Sequence, residues 1–259
     1  MNFFKFYPNP VEGVSVEPFT TVYMILLAIT LLLVGVVLWI GYNQNQMMRQ
    51  KTMRTLIWAL PILELIRQVW LIQSGGYDLT EHLPIHLCGF MIFLMPLWWM
   101  TRSKFLENFT YYAGTFGALM ALLFNYNHAP WFNIQTFQTF LVHGIIFCIP
   151  IFNVLYLGFR PQRKYFRTSV VCLFGLSALV YGINLVLGSN YFFLMAAVDN
   201  SPLALIESIV GYPWMLLVAA AGIVFIWYLM FIFFEKSQRN RMRYVVSSEY
   251  VERHVRIIR

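Results

Sequence analysis

The chain has 259 residues, of which 59% are hydrophobic, 18% aromatic and 11% charged, with a formal net charge of +7. Soluble domains carry roughly 25% charged residues, so this composition excludes one and defines a polytopic membrane protein. The basic balance does not point to nucleic acid, because the Lys and Arg residues sort to one side of the predicted spans, the ordinary mark of membrane orientation.

The first eighteen residues lack a basic n-region, and the apolar run behind them is too long for a signal-peptide core, so it is expected to remain as an anchor. With about 20 apolar residues needed to cross the hydrocarbon, seven spans are predicted, near 19–41, 55–73, 83–100, 105–125, 137–157, 168–187 and 211–234. The fold expected is all-α, a seven-helix membrane bundle. Residues 1–18 form an extracytoplasmic N-terminus, 19–234 the transmembrane domain and 235–259 a basic cytoplasmic tail. No internal repeat or linker divides it.

Charge tests this count. With the N-terminus outside, the inner segments 42–54, 101–104, 158–167 and the tail after 234 hold three, two, four and seven Lys or Arg, whereas the outer segments hold only Lys5. The asymmetry predicts an N-out, C-in, multi-pass protein of the cell membrane. The tail sets Lys236, Arg239, Arg241 and Arg243 beside the last span, and Val251, His254, Val255 and Ile258 recur there at helical spacing, as in an interfacial helix.

The second span carries Glu64, Arg67 and Gln68 at i, i+3 and i+4, one helix face. A charged side chain at mid-span costs roughly 2.5–3.5 kcal/mol on insertion scales, so pairing of Glu64 with Arg67 is expected, serving either helix packing or substrate binding. Pro84 marks the start of the third span, with His86 in its first turn or two and His82 four residues earlier, on the same face only if the helix extends back beyond Pro84 into the loop. Cys88, two residues on, points away from His86 on a helix, and it is read as an inert thiol. Cys88, Cys148 and Cys172 all lie in apolar runs, with no spacing for a disulfide framework or structural zinc.

Gly114, Ala118 and Ala121 line one face of the fourth span, which Asn125 follows, and let helices approach closely. Thr136, Thr139 and His143 share a face of the fifth span, and Tyr181 and Asn184 lie near the outer end of the sixth. The outer segment 188–212 contains an apolar piece, 190–195, expected to be re-entrant or interfacial, then a short helix capped by Ser201-Pro202 and stopped by Gly211. Arg67, His86, His143 and Asn184 therefore share a depth in the outer half, whereas the inner halves are nearly devoid of ionisable groups. An outward-facing polar pocket follows, and a channel or alternating-access transporter is disfavoured.

The motifs Leu83-Pro84-Ile85-His86-Leu87-Cys88, Gly117-Ala118-Leu119-Met120, His143-Gly144, Asn184 with Gly188-Ser189-Asn190-Tyr191, and Tyr212-Pro213-Trp214 resemble the YwaF-like integral membrane proteins of Gram-positive bacteria over about 64–234. Eukaryotic relatives of that family are described as acyltransferases acting on ether phospholipids, with a cysteine as proposed nucleophile. The resemblance thus implies lipid acyl chemistry.

The expectation is a membrane protein binding a lipid or lipid-linked substrate, with acyl transfer as its chemistry. His86 and His143 are the candidate catalytic bases, and Glu64, Arg67, Asn184, Asn190 and Tyr191 the candidate substrate-binding residues. No cofactor is expected and no metal site is assigned. Two rivals stay open. One is a metal-dependent lipid hydrolase using His82, His86, His143 and Glu64, and the other a non-catalytic partner or assembly factor. His86→Ala is expected to lose function, and Cys88→Ser to keep most of it.

Overall fold

The computed structural model describes residues 3–7, 15–124, 127–198 and 201–234. The basic tail and its expected interfacial helix, together with Asn125, lie outside the described residues. Eight helices carry the fold: α1 (Thr21–Asn43), α2 (Gln46–Gln73), α3 (Leu87–Thr101), α4 (Lys104–Phe124), α5 (Ile134–Tyr156), α6 (Arg163–Leu187), α7 (Pro202–Val210) and α8 (Trp214–Phe234). Of these, α1, α2, α5, α6 and α8 are long and apolar enough to cross a membrane.

Side-chain oxygens start several of them. Thr20 accepts from the Tyr23 N–H, Asn45 from Met48 and Ser201 from Ala204, each satisfying an orphan donor of a first turn. The helix expected after Ser201-Pro202 is α7, with Gly211 at its end (φ 73°). α2 begins well before the predicted span. At about 1.5 Å per residue its 28 residues outrun the roughly 30 Å hydrocarbon core, so its first turns, with Arg49, Lys51 and Arg54, extend beyond the span.

α5 is the central helix, packing on α1, α2, α3 and α4, while α4 also meets α3 and α6. Trp227 of α8 is fully buried and stacks on Tyr112 of α4 with ring centroids 5.4 Å apart. Glycine permits two of these approaches. A Cβ on Gly114 would lie 2.8 Å from Met95 Cε, and one on Gly144 2.7 Å from Thr30 Cγ2. The outer faces leave Leu32, Trp39, Val186 and Phe233 exposed, an arrangement a water-soluble surface would not tolerate and lipid favours.

α3 departs from expectation. The helix starts at Leu87 rather than near Pro84, and it has 15 residues, about 22 Å, too short to cross alone. Pro84 lies in a turn in which the Ile85 N–H donates to the Leu83 carbonyl (2.8 Å). That turn passes so close over α3 that a Cβ on Gly89 would sit 2.5 Å from the Pro84 carbonyl carbon and oxygen. His86 is therefore the extended residue before the helix (φ −65°, ψ 159°). His82 and His86 share no helix face, and the helical argument turning Cys88 away from His86 does not apply.

A two-stranded antiparallel sheet, β1 (Ser15–Val16) with β2 (Asn127–Pro130), ties the N-terminal segment to the α4–α5 connection. Residues 3–7 dock on the same end of the bundle. The Trp70 indole N–H donates to the Phe4 carbonyl (3.0 Å), the Asn133 amide to that of Lys5 (2.9 Å), and the Phe6 ring rests against Gly76.

Candidate functional site

The connector 74–86, the turn after α6 and residues 3–7 meet at one end of the bundle, the His86 end. On α2, Arg67 holds Glu64 with two nitrogens, Nε to Oε2 at 3.0 Å and Nη2 to Oε1 at 2.7 Å. Gln68 adds a third bond to Oε1 (2.6 Å). The predicted face thus closes on itself, with the Glu64 side chain 5% and that of Arg67 21% exposed. Arg67 Nη2 and Gln68 Nε2 also converge on the His82 carbonyl, at 3.0 and 2.9 Å. The buried ion pair is a clamp on the connector.

His82 itself is buried, with the Phe6 ring 5.7 Å away. Its Nδ1 accepts from the Asp78 N–H (3.0 Å), so the neutral ring is the form that fits. Burial first, and then the Arg67 charge, push its pKa below the ordinary 6.5. Asp78 is held below the usual carboxylate range by the Thr80 backbone N–H and hydroxyl.

Asn184 organises the turn opposite. Its Nδ2 donates to the Tyr191 carbonyl (2.8 Å), and its Oδ1 accepts from the Tyr191 N–H (2.9 Å) and the Ser189 hydroxyl (2.8 Å). Within the piece 190–195, expected to be re-entrant or interfacial, Tyr191–Phe193 forms a 3-10 turn, with Phe192 and Phe193 at positive φ (59° and 55°). The buried Tyr191 hydroxyl donates to the Leu79 carbonyl (2.7 Å) and accepts from the Leu83 N–H (3.0 Å). Asn190 closes its own loop, donating to the Ala196 carbonyl and accepting from the Met195 and Ala196 N–H groups. Asn184, Asn190 and Tyr191, expected to hold substrate, thus commit their polar atoms to backbone and to Ser189. The polar groups expected to line an open pocket are bonded mainly to nearby backbone, with Arg67 also paired to Glu64.

The two candidate bases differ in tautomer. The Phe192 N–H donates to His86 Nδ1 (3.2 Å), which needs a lone pair there and leaves the proton on Nε2. His143 Nδ1 faces the Thr139 carbonyl at 2.8 Å, which needs the proton on Nδ1 and leaves the lone pair on Nε2. Tyr191 and Phe193 rings flank His86, each centroid 5.1 Å away. Both histidines are half-buried, and Cys88 packs on α4, its Sγ 3.5 Å from where a Cβ on Gly117 would lie. Among the described residues no three His, Cys, Asp or Glu gather to hold a metal ion, so the set named for a hydrolase does not converge. The three cysteines are free thiols.

The opposite end holds what sequence reasoning missed. Glu107 of α4 is buried, with Lys104 Nζ 2.8 Å from Oε2 and Asn153 Nδ2 of α5 3.1 Å from Oε1. Fully buried Asn108 donates to the Lys104 carbonyl and accepts from the Gln162 N–H. The i, i+3 spacing of Lys104 and Glu107 was the available signal. Beside this cluster lies a polar cavity of about 200 Å³, so this end gathers ionisable groups where few were expected. A second cleft, apolar and about 590 Å³, runs between α6 and α8 past Phe174, Leu217 and Phe225.

Long apolar helices with open apolar faces, and ionisable groups gathered at the two ends, define a multi-pass α-helical membrane protein. The sequence model of the TMEM164 family matches residues 16–231, and the chain belongs to that family. No curated protein and no solved structure gives a significant match.

Proposed function

We propose that this chain is a seven-span cell-membrane protein, N-terminus outside and C-terminus inside, whose His86 end takes up a lipid or lipid-linked substrate and transfers an acyl group. Here α3, short as it is, counts as a span together with its connector, and α4 as another. The orientation rests on charge, since Arg102, Lys104, Arg160, Arg163, Lys164 and Arg167 all lie at the end opposite His86. Reporter fusions check it: a C-terminal reporter should be active only in the cytoplasm, and an extracellular signal overturns the orientation.

The observation that carries the chemistry is the pair of complementary tautomers, an Nε2 lone pair on His143 and an Nε2–H on His86. In a transfer between an ester donor and a lipid hydroxyl, His143 Nε2 takes the proton from the hydroxyl as its oxygen bonds to the acyl carbon. His86 Nε2–H donates to the carbonyl oxygen as negative charge grows there. The donor's C–O bond then breaks, and the departing oxygen receives the proton from His143. Arg67, Asn184, Asn190 and Tyr191 act by positioning His86, with Glu64 holding Arg67.

The test is acyl transfer from phosphatidylcholine to a lysophospholipid in vesicles carrying the purified protein. His143→Ala and His86→Ala should each lower the rate at least ~100-fold at matched expression and melting temperature, while Cys88→Ser retains most of it. Full activity in His143→Ala removes the proposed base. A dead Cys88→Ser with an active His86→Ala replaces it with a thiol nucleophile. If the wild type transfers nothing and co-purifies with a fixed partner, the assembly-factor reading takes over.

A further inference from the structure

The cavity at the Glu107 end has a charge that nothing among the described residues cancels. Lys104 and Glu107 lie on its wall as a pair 2.8 Å apart, and Asn153 holds the second Glu107 oxygen, so together they contribute no net charge. Arg102, also on the wall, is different. Its guanidinium lies over the Trp99 ring, 3.8 Å from the centroid, and its donors make no hydrogen bond among the described residues. Stacking fixes the plane of the fork while leaving its edge free, the geometry in which Arg recognises an oxyanion with two oxygens.

The backbone argues the same way. Arg102 ends α3 in the left-handed region (φ 53°, ψ 24°), its N–H donating to the Trp98 carbonyl. Glycine usually fills that position because it bears no Cβ, yet an arginine stands there. The left-handed turn and the Trp99 stack together hold the side chain on the cavity wall. Gln46 and Gln50 of α2 line the same cavity with amide side chains.

Trp98 and Trp99 also line the cavity, and adjacent tryptophans at a helix end mark the level of lipid headgroups. The anion met at that level in every phospholipid bilayer is the phosphate diester. We propose that this cavity binds the phosphate of a membrane phospholipid through Arg102, with Gln46 and Gln50 as further donors and Trp98 packing on the glycerol side. The site lies at the end of the bundle opposite His86, and it does not rest on the acyl-transfer reading.

The experiment measures thermal protection of the purified full chain in detergent micelles by added phosphatidylglycerol, with diacylglycerol as the lipid lacking phosphate and glycerol 3-phosphate as the phosphate lacking lipid. Wild type should be protected by phosphatidylglycerol and by neither control. Arg102→Gln should weaken protection about tenfold or more, the loss of a hydrogen bond to a charged group. Arg102→Gly, which relaxes the backbone at this position, should fold and lose protection as fully. Arg167→Gln, which removes one exposed charge elsewhere, should change nothing. Protection of Arg102→Gly equal to that of wild type overturns the site. Equal protection by diacylglycerol overturns phosphate recognition, and equal protection by glycerol 3-phosphate assigns the cavity to a soluble phosphate ester and overturns the lipid.

Discussion

Arg67→Leu should destabilise the protein by about 3–5 kcal/mol, the range for removing one partner of a buried ion pair. The substitution leaves a Glu64 carboxylate whose side chain is 5% exposed with the Gln68 amide as its hydrogen-bond donor. Glu64→Leu should cost somewhat less, because the Arg67 side chain is 21% exposed and keeps its bond to the His82 carbonyl. The double variant should be milder than the sum, since it leaves no charge uncompensated. Denaturant unfolding in mixed micelles measures all four corners of the cycle. Additive losses would exclude the pairing. Because the pair also grips the His82 carbonyl, each single variant should loosen the connector 74–86, and hydrogen exchange at Leu83 and Ile85 reads that directly.

This clamp shows which parts of the site were legible in the sequence. The Glu64–Arg67 pair was, because i, i+3 spacing within an apolar run leaves two charges little choice but each other. Its third partner was not: a backbone carbonyl such as that of His82 carries no sequence signature, and only the fold brings it within 3.0 Å of Arg67. The start of α3 was misplaced for a related reason. Leu83 and Ile85 continue the apolar run, but the Leu83 N–H is taken by the Tyr191 hydroxyl from 108 residues away, and the helix begins only at Leu87.

Length and apolarity gave the long helices directly, whereas a two-residue strand such as β1 has no periodicity to detect. The Glu107 cluster escaped because Lys104 was counted as an inner loop charge. Its carboxylate is completed by Asn153, 46 residues on, and that pairing no local pattern predicts. Misjudging this end mattered. Charges at span ends serve orientation in general, and here one such pair, Lys104 and Glu107, is tied into the core through Asn153, with a polar cavity beside it.

Asn184→Leu should be the most damaging polar-to-apolar change outside the ion pair. Leu keeps the branched outline of Asn but is bulkier, and the change strips partners from the Tyr191 N–H, the Tyr191 carbonyl and the Ser189 hydroxyl in a site where Asn184 is 1% exposed. Each buried group left unpaired costs about 1–3 kcal/mol, and partial rearrangement of the turn limits the total to about 2–4 kcal/mol. Ser189→Ala, which removes a single bond, should cost about 1 kcal/mol. The two variants separate positioning from mere stability. Phe192 and Phe193 hold positive φ, a conformation non-glycine residues keep only where the surroundings impose it. Without Asn184 the turn should relax, and the Phe192 N–H should leave His86 Nδ1. An NMR measurement on ring-labelled His86 then reports the outcome: a single Nε2–H tautomer in wild type and Ser189→Ala, and a mixture in Asn184→Leu. A fixed tautomer in Asn184→Leu would mean that the Asn184 turn does not position His86.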